Sequence, residues 1–259
     1  MRRQSYGLTD AGRVRTENQD RILCDDARGL YAVCDGMGGR RRGDLAAGIA
    51  AAALQEFIAM TADPMEITWP VGFNHKLSLS ANRLLTAAQL ANRQVWHRSE
   101  ESIENLGMGT TICAALITET EVSVVNVGDS RAYLCRNGEL RQLTVDDTVG
   151  GSATSKWKSV LTEAAGQQET ANLHLAQCPL TPGDRLLLCS DGLHGCLEHE
   201  QIHSLLHIAD PPESAAHALL QATLAAGAPD NVSIILVDIA ECGCNEPSPL
   251  PEIQQTKKA

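Results

Sequence analysis

Five aspartates stand where short apolar runs stop or start. Asp35 follows Leu30-Tyr31-Ala32-Val33-Cys34 and precedes Gly36, and Asp129 follows the Val122–Val127 run in Val127-Gly128-Asp129-Ser130-Arg131. Asp191 follows Leu186-Leu187-Leu188-Cys189-Ser190 and precedes Gly192, while Asp230 precedes Asn231 and the Val232–Ile239 run. Asp20 closes Asn18-Gln19-Asp20 just before Arg21-Ile22-Leu23-Cys24. A carboxylate set among apolar flanks is costly unless it is paired or coordinates a metal. One Asp-Gly after a strand is an ordinary turn; several, each at the end of a separate strand, point to one shared cation site. Oxygen donors with no Cys or His among them favour Mg²⁺ or Mn²⁺ over zinc.

Other chemistries find less support. His199-Glu200-Gln201-Ile202-His203 is a literal HExxH, which on a helix would put two zinc ligands one turn apart with Glu200 as general base of a metalloprotease. Leu206 and Ala209 occupy the places of the glycine and third histidine that would continue that pattern. Ile202, Leu205, Leu206 and Ala209 form an apolar stripe, which leaves the histidines, with His207, along its polar border. Gly36-Met37-Gly38-Gly39-Arg40-Arg41 lacks the last glycine of a dinucleotide fingerprint, and neither a P-loop nor a GxSxG nucleophile motif occurs. Cys242 and Cys244 form a CxC without the second pair a zinc site needs.

The elements that must position the aspartates are short. Strands are expected at Leu30–Cys34, Thr110–Ile117, Val122–Val127, Arg131–Cys135, Glu139–Leu143, Arg185–Cys189 and Val232–Ile239, with Asn137-Gly138 as a tight hairpin turn. Helices are expected in two pairs, Asp44–Met60 with Lys76–His97, and Glu198–His207 with Ser214–Ala225. Strands, two helices, strands, two helices and a last strand do not make the βαβ alternation of a parallel sheet. They suit an α+β fold: two antiparallel β-sheets packed together, flanked by helix pairs. Residues 1–240 read as one domain and 241–259, with Pro247, Pro249 and Pro251, as a flexible tail.

At 259 residues with 43% hydrophobic content, the chain can bury a sizeable core, and its formal net charge of −11 argues against gripping nucleic acid or an anionic membrane. The N-terminus carries Arg2 and Arg3 with no apolar stretch behind them, so no signal peptide is expected. The Ala46–Leu54 run is too short to span a bilayer. Six of the nine cysteines lie in or beside apolar segments, which suits reduced core thiols. A cytoplasmic monomer is the expectation.

The motifs also carry a family resemblance. Thr9-Asp10-Ala11-Gly12-Arg13-Val14-Arg15-Thr16-Glu17-Asn18-Gln19-Asp20, Val33-Cys34-Asp35-Gly36-Met37-Gly38-Gly39, Gly43-Asp44, Gly109-Thr110-Thr111, Val127-Gly128-Asp129-Ser130-Arg131, Ser190-Asp191-Gly192-Leu193 and Asp230-Asn231-Val232-Ser233 occur in the family's order from about Tyr6 to Ile239. The set resembles that of the PP2C (PPM) metal-dependent protein serine/threonine phosphatases, their bacterial branch above all. The resemblance implies a four-layer α-β-β-α sandwich and hydrolysis of phosphoserine and phosphothreonine by a water or hydroxide bridging two Mn²⁺ or Mg²⁺ ions. It implies that Asp35 bridges the two ions, with the Gly36 carbonyl on one and Asp191 and Asp230 on the other. Asp20 would hold metal-bound water, Arg15 would clamp the phosphate, and Asp129 with Asp191 would hold a third, weaker ion. The implied partners are phosphoproteins, a cognate serine/threonine kinase and that kinase's substrates.

Departures from the family pattern are specific. Met37 stands where many eukaryotic members place a histidine general acid. His194 is near Asp191 in sequence, and reads as a surface histidine rather than an acid in its place. Arg40-Arg41-Arg42 replaces a usual histidine, and offers either a solvated loop or a contact for an acidic phosphopeptide. Gly195 replaces a carboxylate that commonly serves the third ion, which leaves a catalytically weak phosphopeptide-binding protein as an alternative to the enzyme. The flap between Asp147 and Gly166 is expected to be short.

Overall fold

The computed structural model describes residues 1–38, 42–62, 69–149, 160–208 and 211–240. Its elements, in chain order, begin with strands β1 (Arg2–Asp10), β2 (Asp20–Asp25) and β3 (Leu30–Met37), then helices α1 (Arg42–Met60) and α2 (Leu79–Glu100). After a 3₁₀ turn at Ile103–Asn105 come β4 (Gly109–Thr110), β5 (Ile112–Ile117), β6 (Glu121–Val127), β7 (Arg131–Arg136), β8 (Glu139–Gln142), β9 (Thr148–Val149) and β10 (Val160–Leu161). The chain continues through β11 (His174–Pro179), β12 (Arg185–Cys189), α3 (Asp191–His194), α4 (His199–Ile208), α5 (Pro212–Ala225) and β13 (Val232–Ala240).

Two antiparallel sheets face each other. One runs β1-β13-β12-β7-β8 and the other β11-β6-β5-β3-β2, with β4 paired to β3 beyond that path. Because side chains alternate across a strand, each central strand feeds two cores. Leu30, Ala32 and Cys34 of β3 pack with Ala46, Ala50 and Leu54 of α1 and with α2. Tyr31 and Val33 meet Leu186, Leu188, Ile235 and Val237 between the sheets. Leu187, Cys189, Ile234 and Leu236 face Ile202, Leu206 and Leu219 of α4 and α5. Three apolar seams make four layers, the expected α-β-β-α sandwich.

The apolar character of α1 belongs to the first seam. By length and hydropathy Arg42–Met60 could cross a membrane, yet Ala46, Ala47, Ala50, Leu54 and Ile58 are fully buried against β3 and α2. The Asn137-Gly138 hairpin forms as expected, both residues taking left-handed φ of 49° and 83° between paired Arg136 and Glu139. Helix α2 starts at Leu79 rather than Lys76, because Ser78 caps it by accepting from the Ala81 amide at 3.3 Å.

Two corrections concern strands. The β3 strand does not stop at Cys34: the Asp35 carbonyl accepts from the Thr111 amide at 2.9 Å and Gly36 pairs with Thr110, so strand pairing carries through Asp35 and Gly36. Edge strands β1 and β11 had no apolar run to announce them. β1 has only exposed and half-buried residues along Arg2–Asp10 while pairing with β13 along its whole length. The tail expected at 241–259, the Cys242/Cys244 pair, Arg40, Arg41 and flap residues 150–159 lie outside the described residues.

Candidate active site

The inter-sheet seam turns polar at one end, and that end is the site. Following the period of two outward, Val33 gives way to Asp35, Cys113 to Thr111, Ala132 to Ser130, Leu188 to Ser190 and Ile235 to Ser233. Thr111, Ser130, Ser190 and Ser233 are almost wholly buried, so their hydroxyls must find partners inside the protein. Thr111 Oγ1 lies 2.7 Å from Ser130 Oγ and accepts from the Asp35 amide at 3.0 Å. Ser190 Oγ accepts from the Ser233 amide at 2.9 Å, and Ser233 Oγ donates to Asp20 Oδ2 at 2.7 Å. Hydroxyls thus replace methyl groups where the seam opens, and they hold the carboxylates in register.

The carboxylates line one cleft. Asp35, Asp129, Asp191 and Asp230 border a cavity of about 590 Å³, together with Arg15, Gly36, Met37, Thr111, Leu161 and Asn231. Asp20 lies directly opposite Asp35 in the β2–β3 ladder and is fully buried. Asp129 sits on the β6–β7 turn, where Gly128 takes φ +98° and a Cβ would strike Thr111. Asp191 is the first residue of α3, not a simple post-strand turn. A Cβ on Gly192 would come within 1.9 Å of the Asn231 carbonyl, and one on Gly36 within 2.1 Å of the Gly43 carbonyl. These glycines let α3 and α1 approach the aspartate-bearing segments closely.

Asn231 ties the N-terminal loop to this cleft. Its Nδ2 donates to the Ala11 and Glu17 carbonyls at 3.0 and 2.9 Å, and its Oδ1 accepts from the Gln19 amide at 2.9 Å. Arg15 is thereby held on the rim, more than half exposed, with Nη2 donating to Asp230 Oδ2 at 2.7 Å. Sequence reasoning quoted Asn231 only as a neighbour of Asp230. Its partners are backbone groups across the molecule, which no local pattern announces.

The electrostatics call for cations. Burial, then the charges of Asp20, Asp191, Asp129 and Asp230, push the Asp35 carboxyl well above the usual range. Burial and Asp191 raise Asp129 to about 7, and burial raises Asp20 to about 6 against hydrogen bonds that lower it. Asp20 Oδ1 is buried without a hydrogen-bond partner. Among the described residues no three such side chains are already drawn around a single point. A set of hard oxygen donors, mutually destabilised and with a buried orphan oxygen behind it, fits divalent ions such as Mg²⁺ or Mn²⁺. Asp35, Asp191, Asp230, Asp129 and the Gly36 carbonyl are the groups placed to hold them, with Asp20 behind Asp35.

His194 is half-buried and bonded inward rather than free on the surface. Its Nε2–H donates to the Asp129 carbonyl at 2.9 Å, and burial followed by the Arg131 charge lowers its pKa to about 4. It is a neutral ring that braces the Asp129 turn. The histidines of the HExxH stretch are engaged elsewhere: His203 Nε2–H donates to the Gly138 carbonyl at 2.8 Å, and the His199 ring lies 6.0 Å from that of Tyr133. Arg42 of the basic run is also occupied, bonding Asn105 Oδ1 at 2.9 Å and Glu104 Oε2 at 2.7 Å.

Comparison with known proteins agrees with this arrangement. The family profile described as protein phosphatase 2C matches residues 11–226. The serine/threonine protein phosphatase PstP of Mycobacterium tuberculosis is 33% identical over 253 residues, covering 93% of this chain but only 46% of that protein. The chain therefore spans about half the length of that relative. The serine/threonine phosphatase stp of Listeria monocytogenes is 30% identical, with 89% of this chain and 93% of that protein aligned. The crystal structure of the catalytic domain of PstP in complex with two manganese ions superposes with a TM-score of 0.76 at 30% identity, over 92% of this chain and 99% of that one. With the cleft, its carboxylates and these matches together, the chain belongs to the protein phosphatase 2C family.

Proposed function

We propose that this chain is a metal-dependent protein serine/threonine phosphatase. The observation that carries the reading is the convergence of Asp35, Asp129, Asp191 and Asp230, from separate segments of both sheets, on one cleft with Arg15 at its rim and Asp20 buried behind Asp35. Asp35 is the carboxylate we assign to both ions, as it lines the cleft with Asp129, Asp191 and Asp230 and lies opposite Asp20. Bound there, two Mn²⁺ or Mg²⁺ ions supply the positive charge that offsets phosphoryl oxygens and activates water for in-line attack on phosphorus. Arg15 holds the phosphate: its planar fork can exchange the Asp230 carboxylate for phosphoryl oxygens without leaving the cleft rim. The Thr111, Ser190 and Ser233 hydroxyls fix the Asp35 backbone and the Asp20 carboxylate at the floor of the site. Asp129 and Asp191 are the pair available to a third ion, with Gly195 adding no carboxylate.

Residues 1–240 form the phosphatase domain in this reading, supported by β13 running in the sheet to Ala240. The substrates are phosphoproteins, and the finer partners are a serine/threonine kinase and its targets, by analogy with the named relatives. A cytoplasmic setting is supported by the seven described cysteines, all free thiols. The deciding experiment is hydrolysis of a phosphothreonine peptide with Mn²⁺, Mg²⁺ or EDTA. Turnover should need metal and fall at least about a thousand-fold, the scale of lost charge stabilisation, in Asp35→Asn and Asp191→Asn. Turnover persisting in EDTA, or unchanged by either substitution, refutes the mechanism. Peptide binding without turnover in metal would favour the binding-protein alternative.

A further inference from the structure

A second cavity, of about 960 Å³, opens over the outer face of α2. Its floor is one helical stripe, Asn82, Leu85, Thr86, Gln89 and Arg93, spaced at three, four and seven residues. Both walls are pinned to that helix. Asn82 Oδ1 accepts from the Asn74 amide at 2.7 Å, and its Nδ2 donates to the Asn74 and Ser78 carbonyls at 3.0 and 2.9 Å, which fixes the 70–77 wall. Gln89 Nε2 donates to the Ala171 carbonyl at 2.7 Å, which fixes the wall that carries Thr170. Phe73, edge-on to both Trp69 and His75, stands over one side with Val71 and Leu77.

The charge here runs against the rest of the molecule. In a chain of net charge −11, this lining contains Arg93, Lys76 and His75 and not one Asp or Glu among its described residues. Arg93 Nε is buried with no hydrogen-bond partner, and no described carboxylate pairs with Arg93 or Lys76. A buried guanidinium nitrogen left unsatisfied is costly, and an anion is the partner its chemistry asks for. Phe73, Leu77 and Leu85 give the same lining an apolar part beside its neutral amides and hydroxyls, and the volume falls within the range of small-molecule sites. We propose that this cavity binds a small amphipathic anion, its carboxylate or phosphate head on Arg93 and Lys76 and its apolar body on Phe73, Leu77 and Leu85.

The test titrates the full chain with octanoate by calorimetry, beside 1-octanol, which lacks the charge, and acetate, which lacks the apolar body. Octanoate should bind saturably at one site, with 1-octanol and acetate each weaker by about ten-fold or more. Arg93→Gln and Lys76→Gln should each weaken octanoate by about ten-fold, and Arg93→Lys should retain most of the affinity. Leu85→Trp, which fills the floor, should abolish binding while the circular dichroism spectrum stays unchanged. Turnover of p-nitrophenyl phosphate in Mn²⁺ should keep its KM with octanoate present, since the metal cleft is a different cavity. Failure of octanoate to bind saturably, equal affinity in Arg93→Gln, or competition with p-nitrophenyl phosphate would each overturn the proposal. The calorimetric readouts do not depend on the phosphatase reading; only the p-nitrophenyl phosphate comparison rests on it.

Discussion

Asn231 shows what a single side chain does for this site. Three of its hydrogen bonds reach the backbone of residues 11–19, the loop that presents Arg15, and its own amide donates to Asp230 Oδ1 at 2.9 Å. Asn231→Ala removes partners from two carbonyls and one amide at once. We expect about 1–3 kcal/mol of lost stability, read as a lower denaturant midpoint. Turnover of a phosphopeptide should fall about a hundred-fold through misplacement of Arg15. Wild-type kinetics in Asn231→Ala would mean that the loop is held by other contacts. The five aspartates were legible in the sequence because each stands where an apolar run stops or starts. Neither Asn231 nor His194 was, since their roles depend on carbonyls 65 or more residues away in the chain.

At the scale of elements, the cleft exists because the alternation of the central seam continues past its last apolar residue into Thr, Ser and Asp. The central strands were readable from their apolar runs for the same reason that they form the seams. The edge strands β1 and β11 were not, because a strand covered on one side only needs no continuous apolar run. Closeness between elements is set by glycine, which spacing alone does not reveal. Gly192→Ala would drive a methyl group into the Asn231 carbonyl, separating α3 from the start of β13. The expected cost is about 1–3 kcal/mol, accompanied by loss of metal-dependent turnover because Asp191 moves with α3. Gly48→Ala is the internal control: nothing lies within 4 Å of the new methyl group on α1. That variant should gain about 0.5–1 kcal/mol from helix propensity, with activity unchanged. Thermal unfolding of the two variants side by side separates close packing from propensity; equal behaviour would contradict the geometry.

For the whole molecule, the excess of eleven negative charges is not simply a solvated surface. Part of it is confined in the cleft, where two divalent ions would offset four charges. This gives the metal-free protein a distinctive pH dependence. Asp129, raised to about 7, and Asp35, raised well above the usual range, bind protons in the folded state that an unfolded aspartate, with a pKa near 3.9, has already released. Their contribution to stability is complete below that unfolded value and is lost as pH rises through the folded one. His194 acts in the opposite sense. Lowered to about 4, it makes stability rise with pH, but only up to the unfolded histidine value near 6.5. Asp184, lowered by its bonds to Arg136 and Thr181 against the effect of burial, matters only in acid. Burial also raises the thiols of Cys34, Cys113 and Cys189, which lowers stability toward the unfolded thiol value near 8.5. The window from about pH 6.5 to 7.5 is therefore the one that the cleft dominates. In EDTA, the melting temperature should fall across it. Saturating Mn²⁺ should remove that fall, since the ions displace the same protons, and the stabilisation by Mn²⁺ should grow with pH. A metal-free protein whose stability rises from about pH 6.5 to 7.5, or a Mn²⁺ gain independent of pH, would show that the cleft carboxylates do not carry the protons the ions replace.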